Sequence, residues 1–212
     1  MPDATDVAAP EPDPGTFAAS FLAETVDLID AIDTTEIEKI AQILLTTRQE
    51  EGRLFILGVG GSAGHASHAV NDFRKLCGLE AYAPTDNVSE LTARTNDDGW
   101  ESTFVEWLRC SNLAQRDCVL IFSVGGGDRE RGVSANLVHA LELAVERRAR
   151  ILGIVGRDGG FTRTVADACV VIPPIYPDRV TPHTEGLCAV VWHLLVSHPA
   201  LVQRSTKWES VR

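Results

Sequence analysis

The chain has 212 residues, 44% hydrophobic and 23% charged, room for one α/β domain with a substantial core. A net charge of −11 argues against phosphate-backbone binding as the main task, so no nucleic-acid partner is expected; a small anion at a helix N-terminus remains open. The chain shows no apolar run of roughly 18 residues and no basic-then-apolar leader, so it is expected to be cytoplasmic with no membrane partner.

Residues 1–14 hold four prolines and four acids and are expected as a disordered tail. Phe17, Phe21, Val26, Leu28 and Ile29 then follow helical spacing up to Ile32. Thr35 with Glu38 reads as a capping box opening a second helix to about Glu50. These helices, over 15–50, exceed what a doubly wound sheet needs and are expected to pack against another subunit.

Leu54-Phe55-Ile56-Leu57 is a continuous apolar run, the mark of a strand buried on both faces. It stops at Gly58, Gly60 and Gly61, and Ser62 reads as the N-cap of the next helix. Such a junction aims free N–H groups and a positive dipole end at one point, which suits a phosphate. On the helix, His65, His68 and Asp72 share one face. His68 and Asp72, one turn apart, can share a metal or a proton. An isolated pair of this kind is ordinarily a solvated face, but this one lies about two turns from the phosphate cradle.

A second strand covers Leu79 to Ala83, ended by Pro84, and a short helix over 86–99 ends in a polar turn with Asn96 and Asp97. Glu101 to Leu113 reads as a helix, and Cys118 to Phe122 as the third strand. That strand runs into a second glycine junction, Ser123-Val124-Gly125-Gly126-Gly127. After a charged loop, Ser134 is expected to cap a helix to about Arg147. Ile151 to Val155 and Ala168 to Ile172 are the last strands, and 176–182 is irregular. Thr184 is expected to cap a long helix through Val196, with 199–212 a C-terminal tail. Strands alternating with helices across 51–198 give α/β architecture with a five-stranded, doubly wound parallel sheet. The five cysteines (Cys77, Cys110, Cys118, Cys169 and Cys188) form no CxxC pair and read as free thiols. Neither junction matches the dinucleotide fingerprint or a Walker loop; both suit a small phosphate or sugar phosphate.

In their order these pieces resemble the sugar isomerase (SIS) domain family and, within it, the phosphoheptose isomerase branch. The resemblance runs from Gly60-Gly61-Ser62 with His68 and Asp72, through Asn96-Asp97, Ser123, Ser134-Ala135-Asn136 and Gly156-Arg157-Asp158-Gly159-Gly160, to Glu185 and His193. It implies a flavodoxin-like sheet, a homotetramer with intersubunit sites, and a bound divalent metal, zinc. The implied activity is aldose–ketose isomerisation of sedoheptulose 7-phosphate to a heptose 7-phosphate through an enediolate.

By the same resemblance, Ser62, Ser123 and Ser134 bind phosphate, with Gly60, Gly61, Gly125, Gly126 and Gly127 around it. Asn96, Asp97 and Glu185 lie near the substrate. His68, Asp72, Glu185 and His193 would hold the metal, and Asp72 and His193 are the catalytic pair. Positions 185, 189 and 193 stack one turn apart, which allows this. His193 serves either as ligand or as free base. Against the family pattern, Asp72 stands for glutamate, Val59 for asparagine, Glu185 for glutamine, and Val124 to Gly127 for a hydroxyl-rich cradle. An inserted segment precedes Ser134, and another, carrying His183, lengthens the loop before the last helix. The alternatives are isomerisation of another ketose phosphate, or a non-catalytic SIS module binding a sugar phosphate or a protein.

Overall fold

The computed structural model describes residues 15–211, so the tail expected over 1–14 lies outside the described residues. Five parallel strands form one sheet: β1 (Leu54–Leu57), β2 (Ala81–Tyr82), β3 (Cys118–Ser123), β4 (Arg150–Gly156) and β5 (Ala168–Ile172). Their order is β2-β1-β3-β4-β5, the doubly wound arrangement expected. The order reverses between β1 and β3, where carboxyl ends of neighbouring strands diverge and leave a crevice.

Strand alternation divides the core between the two faces of the sheet. Leu54, Ile56, Leu120 and Phe122 meet one set of helices: α1 (Phe17–Asp30), α2 (Thr34–Gln49), α3 (Gly61–Cys77) and α8 (Val180–Ser197). Phe55, Leu57, Val119 and Ile121 meet α5 (Thr103–Cys110) and α6 (Ala135–Arg147) on the other. Trp192 and Phe73 are fully buried in the first cluster and Phe104 in the second. Each such side chain contributes about 1.5–3 kcal/mol by leaving water. The outer edge of β5 is covered by α2, whose Glu36 carboxylate accepts from Cys169 N–H at 2.9 Å. That contact closes an edge which would otherwise invite another strand.

Most helix starts differ from the sequence reading. The expected Thr35/Glu38 box does not form; Asp33 caps α2, accepting from Thr35 N–H at 2.9 Å. Ser62 is not a cap: Gly60 holds that position at φ +62°, and Ser62 lies buried in the first turn. Ser134 does occupy the N-cap position of α6, as expected, but in the left-handed region and with no capping side-chain bond. Thr184 lies inside α8, which begins at Val180. The helix expected over 101–113 is a 3₁₀ turn (Trp100–Ser102) followed by the shorter α5. A further short helix, α7 (Gly160–Val165), follows β4.

The segment with His183 is helix, not a lengthened loop. His183 is 3% exposed in the first turns of α8, stacked on Phe21 of α1 with ring centroids 4.3 Å apart. Its Nε2 lies 2.9 Å from the Glu24 carboxylate. Arg179 donates to the same carboxylate through Nε and Nη2 at 2.8 and 2.7 Å. One buried acid thus clamps α1 to the start of α8. The stretch after α8 is also packed: Gln203 N–H donates to Leu76 O at 2.8 Å, and Arg48 reaches the carbonyls of Ala200 and Leu201. Among the described residues no helix is long and apolar enough to cross a membrane.

Candidate active site

A cleft of about 1140 Å³ opens at the carboxyl ends of β1, β3 and β4. Ser62, Ser123, Gly125, Gly127, Ser134 and Glu185 line it, so both glycine junctions face one space. Gly60, Gly61 and Gly126 do not line it. Gly126, at φ +71°, serves the loop instead: a Cβ there would fall 1.9 Å from Gly159 O. Its carbonyl accepts from Thr162 N–H and Oγ1, and Gly127 O accepts from Phe161 N–H at 2.8 Å. The second cradle is therefore pinned to the start of α7. Ser123 Oγ accepts from Gly126 N–H at 3.0 Å, which leaves its hydroxyl proton to donate.

Asn96 and Asp97 do not reach this cleft. They are exposed at the end of α4 (Val88–Asp97), where Asn96 Nδ2 donates to Asp97 Oδ1 at 2.7 Å.

His68, Asp72 and His193 do not line this cleft; they gather at a second position that begins six residues beyond Ser62 on α3, about 9 Å along the axis. Ligand atoms of His68, Asp72 and His193 all fall within 4.8 Å of one another. His68 Nε2 lies 3.6 Å from Asp72 Oδ2, close but beyond a formed hydrogen bond. His193 Nδ1 donates to Ala189 O at 2.7 Å, because a carbonyl can only accept. That fixes the tautomer and leaves the Nε2 lone pair free for a proton or an ion. The His193 ring stacks on buried Trp192 at 3.5 Å, and His68 meets the same indole edge-on at 4.8 Å. Trp192 is the platform that sets both imidazoles.

Glu185 is not part of this trio. Its carboxylate stands over the start of α3, where a Cβ on Gly61 would lie 2.6 Å from Oε1. Of the four expected ligands the fold brings three together and leaves Glu185 on the cleft side. Gly61 is what lets it approach.

The SIS domain profile matches residues 20–156. The chain belongs to the SIS domain family. Among relatives, the lincomycin biosynthesis protein LmbN of Streptomyces lincolnensis is 36% identical over 169 residues, 74% of this chain but only 60% of that one. A phosphoheptose isomerase of Helicobacter hepaticus is 32% identical over 167 residues, covering 76% of this chain and 80% of its own. In three dimensions the phosphoheptose isomerase GmhA from Neisseria gonorrhoeae superposes with a TM-score of 0.74 at 25% identity, over 87% of this chain and 98% of that one.

The SIS profile ends before α8, so Glu185 and His193 lie beyond the matched segment. Two features of this SIS chain escaped the sequence reading. One is the Glu24 clamp, whose members are far apart in sequence. The other is the place of Arg157, quoted above only as part of a motif, which lines the cleft at φ +53°. An arginine inside a glycine-rich turn was the available signal.

Proposed function

We propose that the chain is a phosphoheptose isomerase, an enzyme converting sedoheptulose 7-phosphate to a D-glycero-heptose 7-phosphate. The observation that carries this reading is the convergence of His68, Asp72 and His193 about 9 Å along α3 from the serine-lined cleft. A seven-carbon chain with a terminal phosphate, at about 1.25 Å per bond, spans roughly 8–10 Å. The phosphate then sits by Ser62, Ser123 and Ser134, and the C1–C2 unit reaches the trio.

Isomerisation removes a proton from C1, passes one from O1 to O2, and returns one to C2. The free Nε2 of His193 is placed to take and return the carbon-bound proton. Asp72, one turn from His68, is placed to carry the proton between the oxygens. Two imidazole nitrogens and one carboxylate fit a zinc-class ion with an open position, so His68, Asp72 and His193 would hold it. When bound, that ion would polarise the carbonyl and stabilise developing oxyanion charge. The Nε2 lone pair serves one partner at a time, so the ligand and base roles of His193 exclude each other at any instant.

The same proposal includes assembly and setting. Leu22, Val26 and Ile29 stand 65%, 56% and 46% exposed on one face of α1, an apolar stripe suited to a second copy and supporting a homotetramer. Asn96 and Asp97, away from their own cleft, are free to serve a neighbour's. Five free thiols suit the cytoplasm. Another ketose phosphate is the second reading, favoured by the hydroxyl-free Val124 to Gly127 stretch. Incubation with a panel of ketose phosphates, followed by NMR, tests both. Sedoheptulose 7-phosphate is expected to convert, with loss of turnover on chelation and recovery with zinc. Binding without turnover of any ketose would point to a non-catalytic module.

A further inference from the structure

We infer that Arg157 is the anion anchor of the cleft, holding the ligand's phosphate in place of the hydroxyls that Val124 to Gly127 lack. Four arginines line the cleft: Arg129, Arg131, Arg157 and Arg163. Three are engaged. Arg129 pairs with Glu142 and lies over the Phe161 ring at 5.1 Å. Arg131 faces Asp128 at 3.7 Å, and Arg163 donates to Asp158 O at 3.3 Å. Arg157 has no ion-pair or hydrogen-bond partner among the described residues. Its Cδ passes 3.8 Å from where a Gly125 Cβ would stand, so the stem runs along the second cradle.

The backbone adds an independent observation. Arg157 is the first central residue of a turn closed by Gly159 N–H to Gly156 O at 3.0 Å, and its φ is +53°. Glycine suits that position, because a Cβ is disfavoured there. Arg148 has the same left-handed φ as the C-cap of α6, so the conformation alone does not mark a site; Arg157 differs in lining the cleft with its guanidinium unpartnered. Its planar fork suits a phosphate better than a lysine would. Neighbouring acids Asp128, Glu130, Asp158 and Glu185 also line the cleft, so without Arg157 the space would favour anions less.

The identity of the ligand rests on the isomerase reading; the anion anchor does not. The test compares wild type with Arg157→Gly, Arg157→Ala and Arg157→Lys. It reads KM and kcat for sedoheptulose 7-phosphate, inorganic phosphate affinity by calorimetry, and melting temperature. Arg157→Gly and Arg157→Ala are expected to raise KM and weaken phosphate binding on the order of tenfold or more, with kcat falling less. Arg157→Lys should recover part of the loss. Glycine relieves the backbone, so Arg157→Gly should melt no lower than wild type, whereas a structural role for the side chain would lower it. Arg157-dependent phosphate binding without isomerisation would uphold the anchor and sink the isomerase reading. Normal isomerisation with unchanged KM and phosphate affinity in Arg157→Gly would overturn the anchor alone, and a wild type that binds no phosphate would overturn it too.

Discussion

Two histidine–carboxylate clusters, both reaching onto α8, make opposite use of the same chemistry. At the start of the helix, Glu24 receives Arg179 and His183 together, and the His183 side chain is 2% exposed. Near its end, Asp72 has His68 at 3.6 Å and no arginine, and the His68 side chain is 57% exposed. In the first cluster the hydrogen bonds from Arg179 hold the Glu24 carboxyl down to about 2 against its burial, and His183 adds to the effect. Both imidazole nitrogens there are occupied, the second by the Thr25 hydroxyl at 3.4 Å. In the second cluster His193 spends one nitrogen on Ala189 O and keeps the other free. A saturated cluster holds structure together; an open one has capacity left for a ligand.

Substitutions in the two clusters should have opposite signatures. The largest effect is expected at the open cluster. His193→Gln should lower turnover by about two to four orders of magnitude, with melting almost unchanged because the residue is exposed. Asp72→Asn should be comparably severe, and the double variant far less than additive, since groups acting as one unit are not additive. Steady-state kinetics beside thermal melts checks all three.

Glu24→Gln should show the reverse pattern. It leaves Arg179 and His183 facing a neutral amide, so melting should fall by roughly 5 °C or more while kcat of the folded protein stays within a few-fold. The pH dependence has a definite sign. The Glu24 carboxyl is held at about 2 rather than its ordinary 4.5, so its ionised form stabilises the fold fully above pH 4.5. That contribution declines as pH falls and is gone below about 2. The melting gap between wild type and Glu24→Gln should therefore close across this window, which calorimetry at stepped pH would record.

Smaller effects follow at the periphery. Leu22→Glu with Val26→Glu, on the exposed stripe of α1, should reduce the assembly seen by light scattering while leaving the monomer folded. Smallest of all, Asp33→Ala should lower the melting temperature slightly more than Thr35→Ala, because Asp33 is the residue that accepts the Thr35 N–H.

Much of the architecture was legible in the chain because its signals are local. Leu54 to Leu57 is apolar without a break, as a doubly covered strand must be, and the glycines after it mark where the chain turns. Ser62, Ser134 and Thr184 are all good capping types, yet only Ser134 stands at its helix start, without a capping bond, and tertiary packing started the other two helices elsewhere. Gly58 illustrates why: a Cβ there would lie 2.5 Å from Ser62 O, so α3 begins against the strand end before any serine can cap it. Helix α7 was missed because six residues carry too little periodicity.

At the site, the spacing of His68 and Asp72 was visible on one helix, whereas His193 joined them only through the family resemblance. Nothing in the sequence separates the Glu185 position over Gly61 from one beside His68, since helical stacking permits either. Glu24 and His183 could not be paired by reading, because no local pattern links α1 to α8. A positive φ at Arg157 likewise leaves no trace in residue type.

On this reading the open trio, and not merely the cleft, does the chemistry. The most direct measurement is an NMR time course of sedoheptulose 7-phosphate with wild-type protein and with His193→Gln, each run with and without chelator. Conversion to heptose 7-phosphate by wild type, lost on chelation and nearly absent in the variant, is the predicted result. Equal conversion by both proteins, or tight binding of the sugar phosphate with no conversion by either, would contradict it.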